Sequence, residues 1–525
     1  MKYIELFSGC GGLSLGLQSV GFELIMANEL SPMAAETYAY NFFNEDLTKN
    51  KSPIHTLWLS SNFPLDEMGK RLREDPRSFP SINTKNRYSE LNENIDLNKT
   101  LIVGNIRELN IFLEKNSQLI EKIKSHDIDL IAGGPPCQSF SLAGLREKDH
   151  DRNTLPIEFA DFVKKINPKI VLLENVSGIL SPFVTKDDKT KKYHAWFEVS
   201  KVFVKQKYLP LCLVVNAKYT GVPQNRPRFI LIGVRIDYYN TIEKNLNDTE
   251  KQLFQSAKKL ISNSDTNLET IDYSHLKCWD VEKDFSKFIG SFLNPLVSFT
   301  DNFHSVKDAI DDLKSQGEEK KISPYIKYIN SKLKIKRQGK ANKISNNERR
   351  NHKLLTKQRF RLYQVIETIS KDSKKEVMDL LKQQIKILSN TAKKEIIKQE
   401  LLTNEGILKS NFDKKNIINY IVKLKTKKNT QRALIEDQPA FTTLSIPDDI
   451  CHYDKNELRT LTVREMARIQ SFPDNFIFRS KVTTGGEYRK FEVPQYTQVG
   501  NAVPPLLGEA LGKVIKNILT IHNNS

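Results

Sequence analysis

The sequence predicts an α/β protein built on a doubly wound, parallel sheet, and two observations support this. From Met1 to about Asp237, short apolar runs alternate with amphipathic stretches, the pattern of strands joined by crossover helices. Small or polar residues follow the ends of several of these runs, beginning with the turn FSGCGG after the first. Open sheets of this kind bind ligands outside the carboxyl ends of their strands.

The alternation predicts where the strands and helices lie. The predicted strands are Lys2–Phe7, Glu23–Ala27, Leu101–Val103, Asp127–Ala132, Lys169–Glu174, Leu211–Ala217 and Phe229–Val234. The predicted helices are Leu13–Val20, Pro32–Asn41, Ile157–Ile166 and, at the end of the chain, Leu506–Leu519.

The composition narrows the class of protein. The 525 residues suffice for two domains, and the net charge of +18 favours a polyanionic partner. The five cysteines form no C-x-x-C pair and no His cluster has ligand spacing, which argues against a disulfide framework and against a metal site. No signal peptide and no run of about 18 apolar residues occurs, so a cytoplasmic protein without a membrane partner is expected.

The composition and the apolar patterning of the chain change twice, and these changes predict three parts, residues 1–237, 238–455 and 456–525. The middle part is richer in Lys, Asn, Ser and Asp and loses the strand–helix alternation. Within it, Tyr325–Gln364 carries 13 Lys or Arg against one acid, Glu348. This stretch therefore supplies most of the excess positive charge.

Two further stretches carry a structural prediction. The polar, Asn-rich stretch Ser78–Lys99 is predicted to be a surface insertion with the composition of a disordered segment. Met378, Leu381, Ile385 and Leu388 recur at helical spacing and predict a buried helix face.

The glycine-rich turn after the first strand is the first candidate ligand site. Gly9, Gly11 and Gly12 let the backbone approach a ligand closely at a helix N-terminus. The turn matches neither G-x-G-x-x-G nor a phosphate-binding loop, so alone it is a weak signal. Glu29 ends the second strand, where an acid can accept hydrogen bonds from a ribose, although a solvated loop glutamate would look the same.

A lone cysteine, Cys137, follows Gly-Gly-Pro-Pro at the end of the fourth predicted strand. A structural cysteine is usually the safer interpretation, but such a residue has apolar neighbours. Here two prolines restrict the backbone and two glycines leave room for a flat substrate. Because the thiolate is the nucleophilic form of cysteine, this context favours a nucleophile.

An acid and two arginines extend the candidate site. Glu174 ends an apolar strand, where a carboxyl can share a proton, although strand-end carboxylates are common. Arg226 and Arg228 enter the last strand, where forked guanidinium donors could hold a polar substrate edge. A surface salt-bridge pair is the alternative.

Taken together, these motifs resemble the DNA (cytosine-5)-methyltransferase family. The matching stretches, in family order, are FSGCGGLSLGL at 7–17, NE at 28–29, GGPPCQSFS at 133–141, ENV at 174–176, QNRPRFILIGVR at 224–235, RTLTVREMARIQSFPDNF at 459–476 and QVGNAVPP at 498–505. The resemblance covers roughly residues 1–236 and 458–525. It implies a Rossmann-like catalytic domain, with 238–455 inserted as a target recognition domain that resembles the family's only by position. It also implies methyl transfer from S-adenosyl-L-methionine to C5 of a cytosine in double-stranded DNA.

The resemblance implies a role for each catalytic residue. Cys137 matches the thiolate that adds to C6, and Glu174 matches the acid that hydrogen-bonds N3. Arg226 and Arg228 match the pair that supports the pocket and the carbonyl oxygen of the base. Charge developing on the ring needs such partners in a dry site, and the base must leave the duplex to reach them.

The resemblance likewise implies a cofactor pocket. Phe7 would lie against adenine, Glu29 would bind the ribose, and the C-terminal segment would close the pocket. Two residues depart from the family pattern, Asn105 where Asp is usual and Leu30 where an aromatic is frequent. The residues expected to line the pocket are Phe7, Ser8, Gly9, Gly11, Gly12, Leu13, Glu29, Leu30, Asn105, Ile106, Pro135, Asn501 and Ala502.

The resemblance also implies a biological setting, a monomeric bacterial modification enzyme paired with a restriction endonuclease and associated with the nucleoid. Two alternatives remain at this point. One is an RNA (tRNA) cytosine-5 methyltransferase, against which the large basic insert argues. The other is an inactive DNA-binding paralogue, against which the intact Cys137, Glu174, Arg226 and Arg228 argue.

Overall fold

The architecture comes from a computed structural model that describes residues 1–49, 52–136, 155–184, 192–262, 268–315, 321–335, 344–413, 416–426, 430–442 and 448–521. The strands are β1 (Lys2–Leu6), β2 (Glu23–Glu29), β3 (Thr56–Trp58), β4 (Thr100–Val103), β5 (Leu130–Gly133), β6 (Ile170–Val176), β7 (Phe183–Val184), β8 (Lys192–Tyr193), β9 (Tyr208–Asn216), β10 (Gln224–Asn225), β11 (Pro227–Arg235), β12 (Cys278–Asp280), β13 (Leu401–Leu402), β14 (Leu408–Lys409), β15 (Arg432–Ala433), β16 (Ala440–Phe441) and β17 (Ile450–Cys451).

The helices lie between these strands and dominate the middle of the chain. They are α1 (Gly12–Ser19), α2 (Pro32–Phe42), α3 (Met68–Arg71), α4 (Ile106–Lys115), α5 (Ser117–Lys124), α6 (Leu155–Ile166), α7 (Ala195–Lys205), α8 (Ile236–Ile242), α9 (Asp248–Ser262), α10 (Phe285–Ile289), α11 (Val306–Ile310), α12 (Pro324–Lys332), α13 (Leu354–Ile366), α14 (Lys371–Leu381), α15 (Asn390–Ile397), α16 (Ile417–Lys423), α17 (Val463–Ile469), α18 (Gln495–Asn501) and α19 (Pro505–Thr520).

A central sheet has the strand order β12-β9-β11-β6-β5-β1-β2-β4-β3. The order reverses at β1, which lies between β2 and β5, so the sheet is doubly wound as the sequence predicts. Its strands are parallel except β11, which runs antiparallel to both β6 and β9. The predicted parallel sheet is thus confirmed apart from β11, which residues 217–226 join to β9; this connection is shorter than the crossover of a dozen or more residues that a parallel pair needs.

The predicted strands and helices all occur, with ends shifted by a few residues. Their apolar runs are buried, as in β5, whose four residues are all buried. Two short edge strands, β3 and β12, were not predicted from the sequence. Each has only three residues and is defined by pairing with β4 or β9, so no local periodicity marks it.

The buried apolar side chains of the described residues form two hydrophobic cores. The first surrounds the central sheet and includes side chains from 239–333 as well as from both ends of the chain. The second is confined to residues 360–451. Residues 239–333 thus pack with the central sheet, although their composition groups them with the middle of the chain.

Two local expectations need correction. The stretch 78–99 contains Ile82, Leu91 and Leu97, which are buried in the first core, so it is an ordered part of the fold rather than a purely polar surface insertion. The apolar series from Met378 does not form one helix face, because α14 ends at Leu381.

The C-terminal segment returns to the start of the chain. Helix α19 packs against α1, and a Cβ at Gly12 would lie only 2.2 Å from the carbonyl oxygen of Val503. Any larger residue at Gly12 would push residues 502–504 away from the first turn. Among the described residues, no helix has the length and apolar character needed to cross a membrane.

Candidate active site

The strand registers bring the sequence motifs to one edge of the sheet. Leu6 pairs with both Asn28 and Gly133, and Gly133 pairs with Leu173. On the other side of β1, Glu29 pairs with Val103. The turns that follow β1, β2, β4, β5 and β6 therefore all leave the sheet at its carboxyl edge, where an open α/β sheet binds ligands.

Glu174 and Arg228 form the polar centre of this edge. Arg228 Nε lies 2.8 Å from Glu174 Oε1, and both side chains are largely buried. Burial lowers the pKa of the Arg228 guanidinium, while the ion pair with Glu174 acts in the opposite direction. The second oxygen of Glu174 faces the turn after β5. Glu174 can therefore offer a carboxylate oxygen to that turn while its other oxygen stays paired with Arg228. A Cβ at Gly134 would lie 3.0 Å from the second oxygen.

Asn175 ties the same turn to β6. Its side-chain amide donates a hydrogen bond of 2.9 Å to the carbonyl oxygen of Pro135, and this contact is buried. The turn is thereby held at its last buried residue, since Pro136 is exposed. Cys137 follows Pro136 directly in the sequence and lies outside the described residues.

Arg226 does not point to the same place as Arg228. Its Nη2 donates to the carbonyl oxygens of Gly500 at 2.9 Å and Ala502 at 3.2 Å, so it holds the C-terminal segment. Burial, together with repulsion from Arg228, lowers the pKa of Arg226. The sequence groups the two arginines as one pair, whereas the structure gives them different partners.

The turn after β1 is held from β2 by Glu29. One oxygen of this carboxylate accepts from the backbone N–H of Gly9 and the other from that of Ser31, each at 2.8 Å. Burial raises the pKa of Glu29, and these amide bonds oppose the rise. Each oxygen keeps a second lone pair, so a further hydroxyl donor can still bind.

The same turn contains a buried polar atom without a partner. Ser8 Oγ is inaccessible and has no hydrogen bond among the described residues. Next to it, Phe7 is only partly buried and has a left-handed backbone with φ of 56°. An unsatisfied hydroxyl beside a partly exposed ring suits a ligand with both polar and aromatic parts.

The remaining predicted pocket residues divide by exposure. The side chains of Leu13 and Ile106 are 2% and 3% exposed in the core, so only their backbone can face a ligand. Asn105 caps α4, since its Oδ1 accepts from the N–H of Arg107 at 3.0 Å. Leu30 and Asn501 are exposed and Ala502 is partly buried.

Sequence reasoning missed residues that hold this edge together. Asn28 donates to the carbonyl oxygens of Ile102 and Gly104, and so joins the ends of β2 and β4. Gln498 accepts from Thr37 Oγ1 at 2.6 Å and donates to the carbonyl oxygen of Met33. The motifs NE and QVGN contain both residues, but only the fold shows their partners.

Several basic residues of the middle stretch have structural partners. Arg359 donates to the carbonyl oxygens of Leu424 and Lys425, and Arg361 donates to that of Glu400. Arg350 pairs with Asp448, and Arg349 donates to Leu313. Part of the positive charge predicted to face a polyanion therefore stabilises the chain itself.

Comparison with known proteins agrees with the resemblance found in the sequence motifs. The family model for C-5 cytosine-specific DNA methylases matches residues 1–64 and 88–517. Type II methyltransferase M.DdeI of Desulfomicrobium norvegicum is 26% identical over 100% of this chain and 92% of its own length. Type II methyltransferase M1.HphI of Haemophilus parahaemolyticus is 25% identical over 99% of this chain and 88% of its own. Type II methyltransferase M.HindV of Haemophilus influenzae is 31% identical over 47% of this chain and 59% of its own.

Proposed function

Because this chain belongs to the C-5 cytosine-specific DNA methylase family and is thus a DNA cytosine-5 methyltransferase, we propose that Cys137 is its nucleophile and S-adenosyl-L-methionine its methyl donor. The observation that carries this proposal is the Glu174–Arg228 ion pair beside the turn that leads to Cys137. Asn175 holds that turn through Pro135. The carboxyl group of Glu174 thus lies beside the turn from which the chain continues to Cys137.

In the proposed mechanism, the thiolate of Cys137 bonds to C6 of a cytosine that has left the duplex. Glu174 hydrogen-bonds the ring at N3, which stabilises the charge that addition places on the ring, and Arg228 keeps Glu174 oriented. The methyl donor, when bound, would supply an electrophilic methyl group to C5 and would leave as the demethylated thioether. The C5 proton would then pass to water as the C6–S bond breaks, which restores the aromatic ring and releases the thiolate of Cys137.

The turn after β1 fits the proposed donor. Ser8 Oγ has no partner among the described residues, Phe7 offers a partly exposed ring, and Glu29 retains lone pairs after binding two backbone amides. Asn501 and Ala502 would close the pocket from the C-terminal segment, which Arg226 anchors. Gly12 permits the close approach that this closure needs.

The relatives named type II methyltransferases support a role in restriction and modification. We propose that the chain acts as a monomer, protects DNA against a paired endonuclease, and recognises its target through the middle of the chain. The second core, residues 360–451, is the best-delimited candidate for the recognition unit. The family match to DNA methylases disfavours the tRNA and inactive alternatives.

Bisulfite sequencing of DNA from cells that express the protein tests the proposal. The wild type should methylate one cytosine within a fixed sequence. Cys137→Ser should abolish methylation but keep DNA binding, because a hydroxyl is a poor nucleophile at neutral pH. Cys278→Ser, at a partly exposed thiol in the edge strand β12, is the matched control and should remain active. Methylation by Cys137→Ser within tenfold of wild type would exclude Cys137 as the nucleophile.

A further inference from the structure

Residues 432–441, here called the strap, connect the two hydrophobic cores. Within the strap, the side chain of an arginine stacks on an aromatic ring. Ala433 packs in the second core, whereas Leu434 and Ala440 pack in the first. Phe441 is partly buried against the first core, whereas Arg432 is exposed, and the two side chains meet. The guanidinium carbon of Arg432 lies 3.3 Å from the centre of the Phe441 ring.

This arginine is exposed, and no residue in the part of the chain that the structure describes takes up its side-chain donors. Among the described residues, none forms a hydrogen bond or an ion pair with the Arg432 side chain. Glu367 is the acid whose charge acts on Arg432, but the Glu367 carboxylate is paired with Lys374. The neighbouring Arg359 and Arg361 differ, because backbone carbonyls take up their donors. Stacking thus orients the guanidinium while its N–H groups remain available.

The strap lies directly beside the catalytic edge. Its end, β16, pairs in parallel with β10, so that Phe441 is opposite Asn225. Thr442 Oγ1 reinforces the pairing by donating to the Asn225 carbonyl at 3.0 Å. Asn225 is three residues from Arg228, and paired strands lie about 4.8 Å apart. Three residues span at most about 10 Å, so the Phe441 backbone is within roughly 15 Å of that of Arg228.

We propose that Arg432, oriented by Phe441, is a specificity-determining residue that donates two hydrogen bonds to O6 and N7 of a guanine in the major groove. The inference rests on the proposed function, because it needs a duplex lying over the carboxyl edge with its target cytosine at Glu174. At about 3.4 Å per base pair, this proximity places the guanine within a few base pairs of that cytosine. The forked guanidinium matches the paired acceptors O6 and N7 of guanine as well as the two free oxygens of a phosphate, and the experiment below distinguishes the two.

The test compares methylation patterns on a library of random duplexes, read by bisulfite sequencing. The wild type should require guanine at one position near the methylated cytosine. Arg432→Lys keeps the charge but loses the fork, and should reduce the preference for guanine there by about 5- to 150-fold. Arg432→Ala should do the same, and Phe441→Leu should relax the same position to a smaller extent. Arg235→Lys is the matched control, since Arg235 is at the opposite edge of the sheet and pairs with Asp237.

Each other outcome overturns the inference. If Arg432→Lys keeps the pattern while Arg432→Ala weakens binding to all sequences and flattens the log–log salt dependence by about 0.9, Arg432 binds a phosphate. If neither variant changes the pattern or the binding, or if no guanine is required near the target, Arg432 reads no base. A wild type that methylates no cytosine would instead refute the proposed function, so the two failures are distinguishable.

Discussion

Replacing Arg226 with methionine should separate the roles of the two arginines. Methionine keeps much of the aliphatic volume at a site that is only 2% exposed, but it removes the donor to the carbonyl oxygens of Gly500 and Ala502. The C-terminal segment then loses its link to the start of β11. We therefore expect a defect in stability and cofactor binding rather than in the chemical step.

The magnitude follows from the two hydrogen bonds. A bond to a charged group contributes about 1.5–3 kcal/mol, so two contribute about 3–6 kcal/mol. Burial of the Arg226 guanidinium is itself unfavourable, as its lowered pKa indicates, so its removal offsets part of the lost hydrogen-bond energy. The free energy of unfolding should therefore fall by about 2–4 kcal/mol. An unfolding entropy of about 2.1 cal/mol/K per residue gives roughly 0.9 °C per kcal/mol for 525 residues. Tm should fall by about 2–4 °C.

The assays are differential scanning calorimetry and steady-state methylation with varied S-adenosyl-L-methionine. Arg226→Met should raise KM for the donor with little change in kcat, because donor binding weakens equally in the ground and transition states. Arg228→Met is the matched control and should lower kcat instead, since it leaves Glu174 without its ion pair. A large fall in kcat for Arg226→Met, with Tm and KM unchanged, would show that Arg226 acts on the base and would refute this reasoning.

Three further predictions concern Glu174, Asn105 and Glu5. Glu174→Gln keeps an acceptor for Arg228 but cannot share a proton, so single-turnover methylation should slow by about 10²–10⁴-fold, with a modest change in donor affinity. An unchanged rate would mean that Glu174 is an ordinary carboxylate without a role in the chemical step. Asn105→Asp preserves the cap on α4 and offers a stronger acceptor, so calorimetry should find donor affinity equal or slightly higher, and a large loss would mean that the position faces something other than adenine. Burial raises the pKa of Glu5 to about 8, so the folded state holds a proton that the unfolded state releases between about pH 4.5 and 8. The free energy of unfolding should therefore fall as pH rises through that window, by at most about 1.4 kcal/mol per pH unit. In Glu5→Gln, the melting temperature measured from pH 6 to 9 should depend less on pH than in the wild type. An equal pH dependence of the melting temperature in the two proteins would contradict the raised pKa.

The sequence by itself predicted the strands and helices of the central sheet and the candidate catalytic groups. Apolar periodicity is a local property, so β1, β2, β5 and β6 could be located from their own residues. The position of Glu174 near the end of β6 could also be predicted locally, because a polar residue directly follows four buried apolar ones. Cys137 remains a prediction from its motif, since it lies outside the described residues.

Only the tertiary structure decided the partners. Arg226 and Arg228 are two residues apart and chemically identical, yet one holds the C-terminal segment and the other Glu174. Neither partner is near in sequence, and hydrogen bonds between distant segments leave no periodic signal. The same reason hid β12, which exists through its pairing with β9, and the stacking of Arg432 on Phe441. Local patterns determine which elements form, whereas long-range packing determines which side chains meet.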